Sequence, residues 1–227
     1  MNILAIETST KNCSVALYSS QKITQQSQLA SREQAQLVLP MIDSLLSQAG
    51  IAVSELNAIA LSVGPGSFTG LRLGIGVAQG LSLAHNTPVI PISSLAVWAQ
   101  AAYASAQLEE VAVAVNAHMN EVYLGYYGIN KQKVMNKNKP DALIKLDEFI
   151  TLTNSNNHFI GDVWEAYSDL PEPERRYDCL PDGKALLNIA LKNLEAQKVI
   201  DDVSINYLRN QDAWKTTEQQ INDRRAC

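Results

Sequence analysis

The stretch with the most chemical potential is Gly64-Pro65-Gly66-Ser67-Phe68-Thr69-Gly70, which follows the apolar run Asn57 to Val63 and opens a helical pattern reaching His85. A glycine turn between a strand and a helix can hold an anion, because backbone N–H groups and the positive end of the helix face the same point. The spacing fits neither common phosphate loop. Five residues after Gly64 stands Thr69, followed by Gly70 and Leu71 where the Walker pattern needs Gly-Lys-Ser/Thr, and Thr69 also takes the third glycine place of Gly-x-Gly-x-x-Gly. The favoured reading is a structural turn, with Gly64, Gly66 and Gly70 supplying backbone angles that other residues resist. Ser67 lies outside any Gly-x-Ser-x-Gly elbow, and His85, His118 and His158 sit at no spacing that pairs a base with a nucleophile. No His-x-x-x-His or Cys-x-x-Cys pair occurs, and Glu109-Glu110 reads as a solvated strand entry. Catalytic residues, metal ligands and a cofactor of the chain's own are therefore not assigned.

The helix after the loop points elsewhere. Gly70, Gly74, Gly76 and Gly80 recur along it, and each interior glycine costs about 0.5–1 kcal/mol relative to alanine. Close packing onto the chain's own sheet would offset that cost. So would an apolar surface shared with the preceding helix, on which Gly76, Gly80 and Ala84 let another chain approach. Spacing alone weighs these two readings evenly. The residues expected at such an interface are Met41, Leu45, Gly74, Val77, Ala78 and Leu81, although periodicity does not separate outward apolar positions from those on the sheet.

Three β-like runs, Asn2 to Glu7, Ser14 to Tyr18 and Lys22 to Ser27, read as an antiparallel meander. Ser31-Arg32-Glu33-Gln34 has the form of a capping box and starts a helix carrying Leu37, Val38, Met41, Ile42, Leu45, Leu46 and Ala49, which Gly50 ends. Pro40 implies a kink or a later start. A strand over Val89 to Ile92 and a helix over Ser94 to Ala104 complete the first half. The second half repeats the order: a hairpin of Val111 to Ala117 and Glu121 to Tyr127, a helix over Leu146 to Leu152, a strand over His158 to Gly161 and a helix over Lys184 to Gln197. Lys131 to Pro140 reads as a solvated hairpin tip, Leu170 to Pro181 as a loop, and Thr216 to Cys227 as a polar tail that frays or forms a surface helix. The pattern predicts an α/β protein of two similar halves, 1–104 and 105–227, each a mixed sheet with helices.

With 227 residues, of which 46% are hydrophobic and 18% charged, the chain can bury a substantial core. A net charge of -5 lacks the basic excess of an autonomous nucleic-acid binder. The residues from Met1 to Glu7 show no leader pattern, and the apolar stretch Leu71 to Ala84 is broken by Arg72, Gln79 and three glycines, so no membrane association is expected. Cys13, Cys179 and Cys227 are scattered and odd in number, which suits a reducing compartment; a cytoplasmic location is expected.

Several segments together are similar to one family: Leu4-Ala5-Ile6-Glu7-Thr8-Ser9, Leu39-Pro40-Met41-Ile42, Gly64 through Gly74, Ser93-Ser94-Leu95, Glu121-Val122-Tyr123, Tyr207-Leu208-Arg209-Asn210 and Ala213-Trp214. They resemble the bacterial TsaB (YeaZ) family. The resemblance implies an actin-like (ASKHA, RNase H-like) fold of two duplicated domains and a part in making N6-threonylcarbamoyladenosine at tRNA position 37. It implies a non-catalytic subunit that forms a heterodimer with the catalytic TsaD through its two first-domain helices and helps recruit the ATPase TsaE. A homodimer would use the same face when TsaD is absent, and tRNA would be met only indirectly. ATP would belong to TsaE and the metal ion to TsaD, whose His-x-x-x-His ligands fall on Ser94 and Trp98 here. Two departures stand out: Asn116-Ala117-His118 where relatives commonly have Asp-Ala-Arg, and Gln34 where many have His. The alternative is an ASKHA-type ATPase or phosphotransferase using Glu7, Thr8, Ser9 and the glycine loop, although kinases of that fold place Asp and then glycine at this turn. A third reading is a homodimeric interaction module outside tRNA biology.

Overall fold

The computed structural model describes residues 1–30, 33–194, 203–206 and 208. Strands β1 (Ile3–Glu7), β2 (Asn12–Ser19) and β3 (Lys22–Leu29) form the expected antiparallel meander. Helix α1 (Gln34–Ala49) leads to β4 (Ala58–Ser62), and α2 (Phe68–His85) crosses over to β5 (Val89–Ile92). β4 and β5 add in parallel, giving the order β3-β2-β1-β4-β5. After α3 (Ser94–Ala106), the second sheet is built from β6 (Glu110–Asn116), β7 (Glu121–Ile129), β8 (Met135–Lys137) and β9 (Ala142–Lys145), followed by α4 (Leu146–Leu152), β10 (Phe159–Ile160), α5 (Val163–Ala166) and α6 (Gly183–Ala190). Its order is β10-β6-β7-β8, with β9 also on β7. In both sheets the first strand pairs antiparallel with the next and parallel with the later return strand, β4 or β10.

Strand alternation sets the layers. On β1, Leu4 and Ile6 face Val38, Ile42 and Leu45 of α1, whereas Ile3 and Ala5 face Leu186 and Leu187 of α6. Small residues there, Ala5, Ala16, Ala58 and Ala60, let α6 lie close, and a Cβ on Gly183 would stand 2.8 Å from the Ala16 nitrogen. α3 turns Leu95, Trp98 and Ala102 toward Val111, Val113 and Tyr127 of the second sheet, while its Val97 and Ala101 join the α6 side. The far face of that sheet packs Ala112, Ala114 and Leu124 against Phe149, Phe159 and Trp164, three rings meeting edge to face. The result is five layers: α1 and α2, first sheet, α3 and α6, second sheet, α4 and α5. α3 runs through Ala106, past residue 104, and α6 from the later half rests on the first sheet.

Some local expectations change. Ser31 lies outside the described residues; α1 begins at Gln34 behind Glu33, whose side chain makes no cap bond, so Pro40 is its seventh residue. Gly50 does close the helix, at φ +67°. The segment 131–140 is more than a solvated tip: β8 runs through it, and Val134 and Met135 are buried beside α3, with the Met135 N–H donating to Gln100 Oε1 at 2.9 Å. Two apolar residues among lysines and asparagines are too short a pattern to announce a strand. The strand expected over His158 to Gly161 narrows to Phe159–Ile160, and the helix expected over Lys184 to Gln197 spans Gly183–Ala190 and ends at Leu191, residues 195–197 and the tail from Thr216 lying outside the described residues. No described helix is long and apolar enough to cross a membrane.

Candidate functional site

The glycine loop is filled by the chain's own β1–β2 turn. The Ser67 N–H donates to the Ser9 carbonyl at 2.7 Å, and Thr8 Oγ1 donates to the Gly70 carbonyl at 2.8 Å. The Gly64 N–H donates to Ser94 Oγ at 3.0 Å, and Ser67 Oγ caps α2 by accepting from the Gly70 N–H at 3.2 Å. A Cβ on Gly66 would stand 2.5 Å from the Ser9 carbonyl oxygen, and one on Gly70 only 2.0 Å from that of Thr8. Gly64 holds φ +100°. Protein oxygens therefore occupy the N–H groups of Gly64, Ser67 and Gly70 in this loop.

Beneath this turn Glu7 is fully buried. Its Oε1 accepts from the Ser9 N–H at 2.7 Å and from Ser9 Oγ at 2.5 Å, while Oε2 has no hydrogen-bond partner among the described residues. Burial pushes the Glu7 carboxyl above its ordinary range, the Ser9 bonds only partly opposing it. Cys13 is also buried, and burial with Glu7 nearby pushes its thiol up to about 11, which removes it as a nucleophile. Gln34 reaches the same turn, its Nε2 donating to the Thr10 carbonyl at 2.5 Å. Departure from histidine thus puts a buried amide there, tying α1 to the turn.

On the other side of α2 the helix is open. Leu39 of α1 with Arg72, Leu73, Gly76, Val77, Gly80 and Leu81 of α2 line a shallow groove of about 460 Å³, apolar apart from Arg72. Rows four residues apart lie side by side on a helix, so Arg72, Gly76, Gly80 and Ala84 run next to Leu73, Val77 and Leu81. A Cβ on Gly76 or Gly80 would meet nothing within 4 Å among the described residues. Leu39, Phe68 and Leu83 add exposed apolar surface on these two helices. The Arg72 guanidinium lies 3.3 Å over the Phe68 ring, at the α2 start.

Residues 18–209 match the TsaD family, tRNA N6-adenosine threonylcarbamoyltransferase. The chain is 36% identical over 233 residues to the tRNA threonylcarbamoyladenosine biosynthesis protein TsaB of Haemophilus influenzae, covering 95% of this chain and 96% of that one. With the TsaB of Escherichia coli the identity is 35% over 227 residues, covering 95% and 97%. The chain belongs to the TsaB family. YeaZ from Pseudomonas aeruginosa has the same fold at a TM-score of 0.79 and 33% identity, covering 91% of this chain and 99% of that one. The five-layer arrangement of two related sheets is thus an α/β actin-like fold.

For a TsaB family member, the expected interface residues divide sharply. Val77 and Leu81 line the groove, whereas Met41, Leu45, Gly74 and Ala78 are buried against the first sheet and offer no side chain to a partner. A Cβ on Gly74 would stand 2.6 Å from Thr8 Oγ1. This corrects four of the six: α1 and α2 carry apolar residues around most of their girth, so the stripe alone did not tell inside from outside. Leu39, Arg72, Leu73, Gly76 and Gly80 complete the lining of the groove; the sequence signal for its glycines is the small-residue row 76, 80, 84. Ser94 is fully buried and shares a hydrogen bond of 2.7 Å with Ser62, and Trp98 is core beneath the second sheet. No three of His, Cys, Asp and Glu gather as a metal would require among the described residues. Asn116 receives its own role, its N–H donating to Asp162 Oδ1 at 2.8 Å and its Oδ1 accepting from the His118 N–H at 2.8 Å.

Proposed function

We propose that this chain is the non-catalytic subunit of the machinery that makes N6-threonylcarbamoyladenosine in tRNA. The groove on α1 and α2 seats a catalytic TsaD-type subunit, and the resulting pair recruits the ATPase TsaE, with ATP held by TsaE and the metal ion by TsaD. The observation that carries this reading is the pair Gly76 and Gly80, which stand mid-helix beside Val77 and Leu81 with open space where side chains would be. Nothing among the described residues offsets the cost of those glycines; a helix packed close against them would. The named relatives support the pathway, and Ser94 and Trp98, standing where TsaD has its ligand histidines, support a non-catalytic role. The same groove accounts for a homodimer when TsaD is absent.

The test is a tRNA modification assay with purified TsaD, TsaE and this chain. Modification is expected only when all are present, and a copurified heterodimer is expected without TsaE. Modification by TsaD and TsaE at full rate without this chain, or by this chain alone, would overturn the proposal.

A further inference from the structure

Between Lys131 and Lys145 the chain holds five lysines, Lys131, Lys133, Lys137, Lys139 and Lys145, against one acid, Asp141. This segment therefore carries +4 in a chain of net -5, leaving -9 for the rest. The fold lays the segment along one sheet edge. β8 pairs with the later part of β7 through Tyr127↔Lys137 and Ile129↔Met135, and β9 pairs with the earlier part through Leu124↔Ala142 and Glu121↔Lys145. The two short strands thus follow one another beside β7, a line of about 30 Å at roughly 3.3 Å per residue.

The acids at this edge do not neutralise it: Glu121 of β7 stands opposite Lys145, at the far end from Lys131 and Lys133. Asp141 is inward, its Oδ1 accepting from the Tyr127 hydroxyl at 2.8 Å and its Oδ2 pairing with Lys137 Nζ at 2.6 Å. Lys131, Lys133, Lys139 and Lys145 are exposed and have no ion pair among the described residues. Lys139 Nζ stands 4.8 Å over the half-buried Tyr126 ring, and the amides Asn130, Gln132, Asn136 and Asn138 alternate with the lysines. Protection of an exposed strand edge accounts for Lys137 and Lys145, which lie on β8 and β9. It does not account for Lys131 and Lys133 in the preceding turn or Lys139 in the connection, where there is no ladder to block. A concentrated positive line on an acidic body attracts a polyanion and orients it.

We propose that this lysine edge binds the phosphate backbone of RNA, which, resting on the functional reading above, is the tRNA being modified; contact with tRNA is then direct. Lysines serve as point charges for phosphates, and interleaved amides suit sugar and base groups. An anionic membrane would instead call for apolar side chains among the lysines, whereas Leu39, Phe68 and Leu83 stand on α1 and α2.

The test is fluorescence anisotropy of a labelled tRNA transcript with the reconstituted heterodimer across a salt series. Replacing three exposed lysines together, K131Q/K133Q/K139Q, should weaken binding at least about tenfold at low salt and lower the salt slope by about 2 to 3, one phosphate contact per lysine. K131E/K133E/K139E should weaken it further, and K22Q/K192Q should change neither quantity. Unchanged affinity and slope in the glutamine variant would overturn the proposal, as would binding of phosphatidylserine vesicles without binding of tRNA. Light scattering on the same samples reads heterodimer formation separately. If the pair does not form, the functional reading fails, and the same anisotropy series on this chain alone decides the lysine edge.

Discussion

The two faces of α2 use glycine for opposite ends. On the inner face, Gly70 and Gly74 leave room for Thr8, whose carbonyl and hydroxyl oxygens would lie 2.0 and 2.6 Å from added Cβ atoms. On the outer face, Gly76 and Gly80 leave room for nothing among the described residues. Residue type alone does not distinguish them, because the helix cost of glycine is the same at each. What differs is the compensating contact: the inner pair closes the glycine loop over the β1–β2 turn, and the outer pair has none among the described residues, which is the ground for the proposed docking of a second chain.

That contrast can be broken most directly at the inner face. Gly70→Ala should destabilise the isolated chain by about 3 kcal/mol or more, since the atom it meets is backbone and has little freedom to move; urea unfolding measures this, and a loss under about 1 kcal/mol would erase the distinction. Gly74→Ala should cost less, about 1–3 kcal/mol, because the Thr8 hydroxyl can turn aside. At the outer face the sign reverses. Gly76→Ala with Gly80→Ala should stabilise the isolated chain by about 1 kcal/mol per site, raising the melting temperature by about 2–4 °C for each kcal/mol, while weakening its pairing with TsaD in calorimetry. The smallest effect concerns Glu7 under the same turn. Its carboxyl is raised in the folded chain, so the stability it contributes is complete below about pH 4.5 and is lost as pH climbs through the folded value. Glu7→Gln should remove that part of the decline, so wild type loses stability relative to the variant as pH rises above 4.5. The raised Asp162 has the same sign in both proteins and cancels from the difference.

Much of this architecture is legible in the sequence. Leu146–Leu152 is helical as its pattern predicts, and Ser67 and Asn86 bound α2 where cap chemistry places such residues. The meander and its repeat as β6 and β7 follow from period-two alternation. Less legible is anything decided by partners distant in sequence. β8 and β9 exist because β7 is long enough to pair both, and Met135 is buried because Gln100 of α3 accepts its N–H. The groove was half legible: Gly76, Gly80 and Ala84 mark it by spacing, yet Met41 and Leu45 belong to the core because α1 presses a broad apolar stripe on the first sheet. The turn that fills the glycine loop required the register of β1 against β4, which no local motif encodes.

Whether the outer face of α2 binds a protein is decided by light scattering of the chain mixed with TsaD, wild type against Gly76→Arg, because the new side chain enters space that no described residue fills. A heterodimer is expected with wild type and separate species with Gly76→Arg, whose melting temperature stays within about 3 °C of wild type, the shift expected for roughly 1 kcal/mol. A heterodimer of unchanged affinity with Gly76→Arg would contradict it.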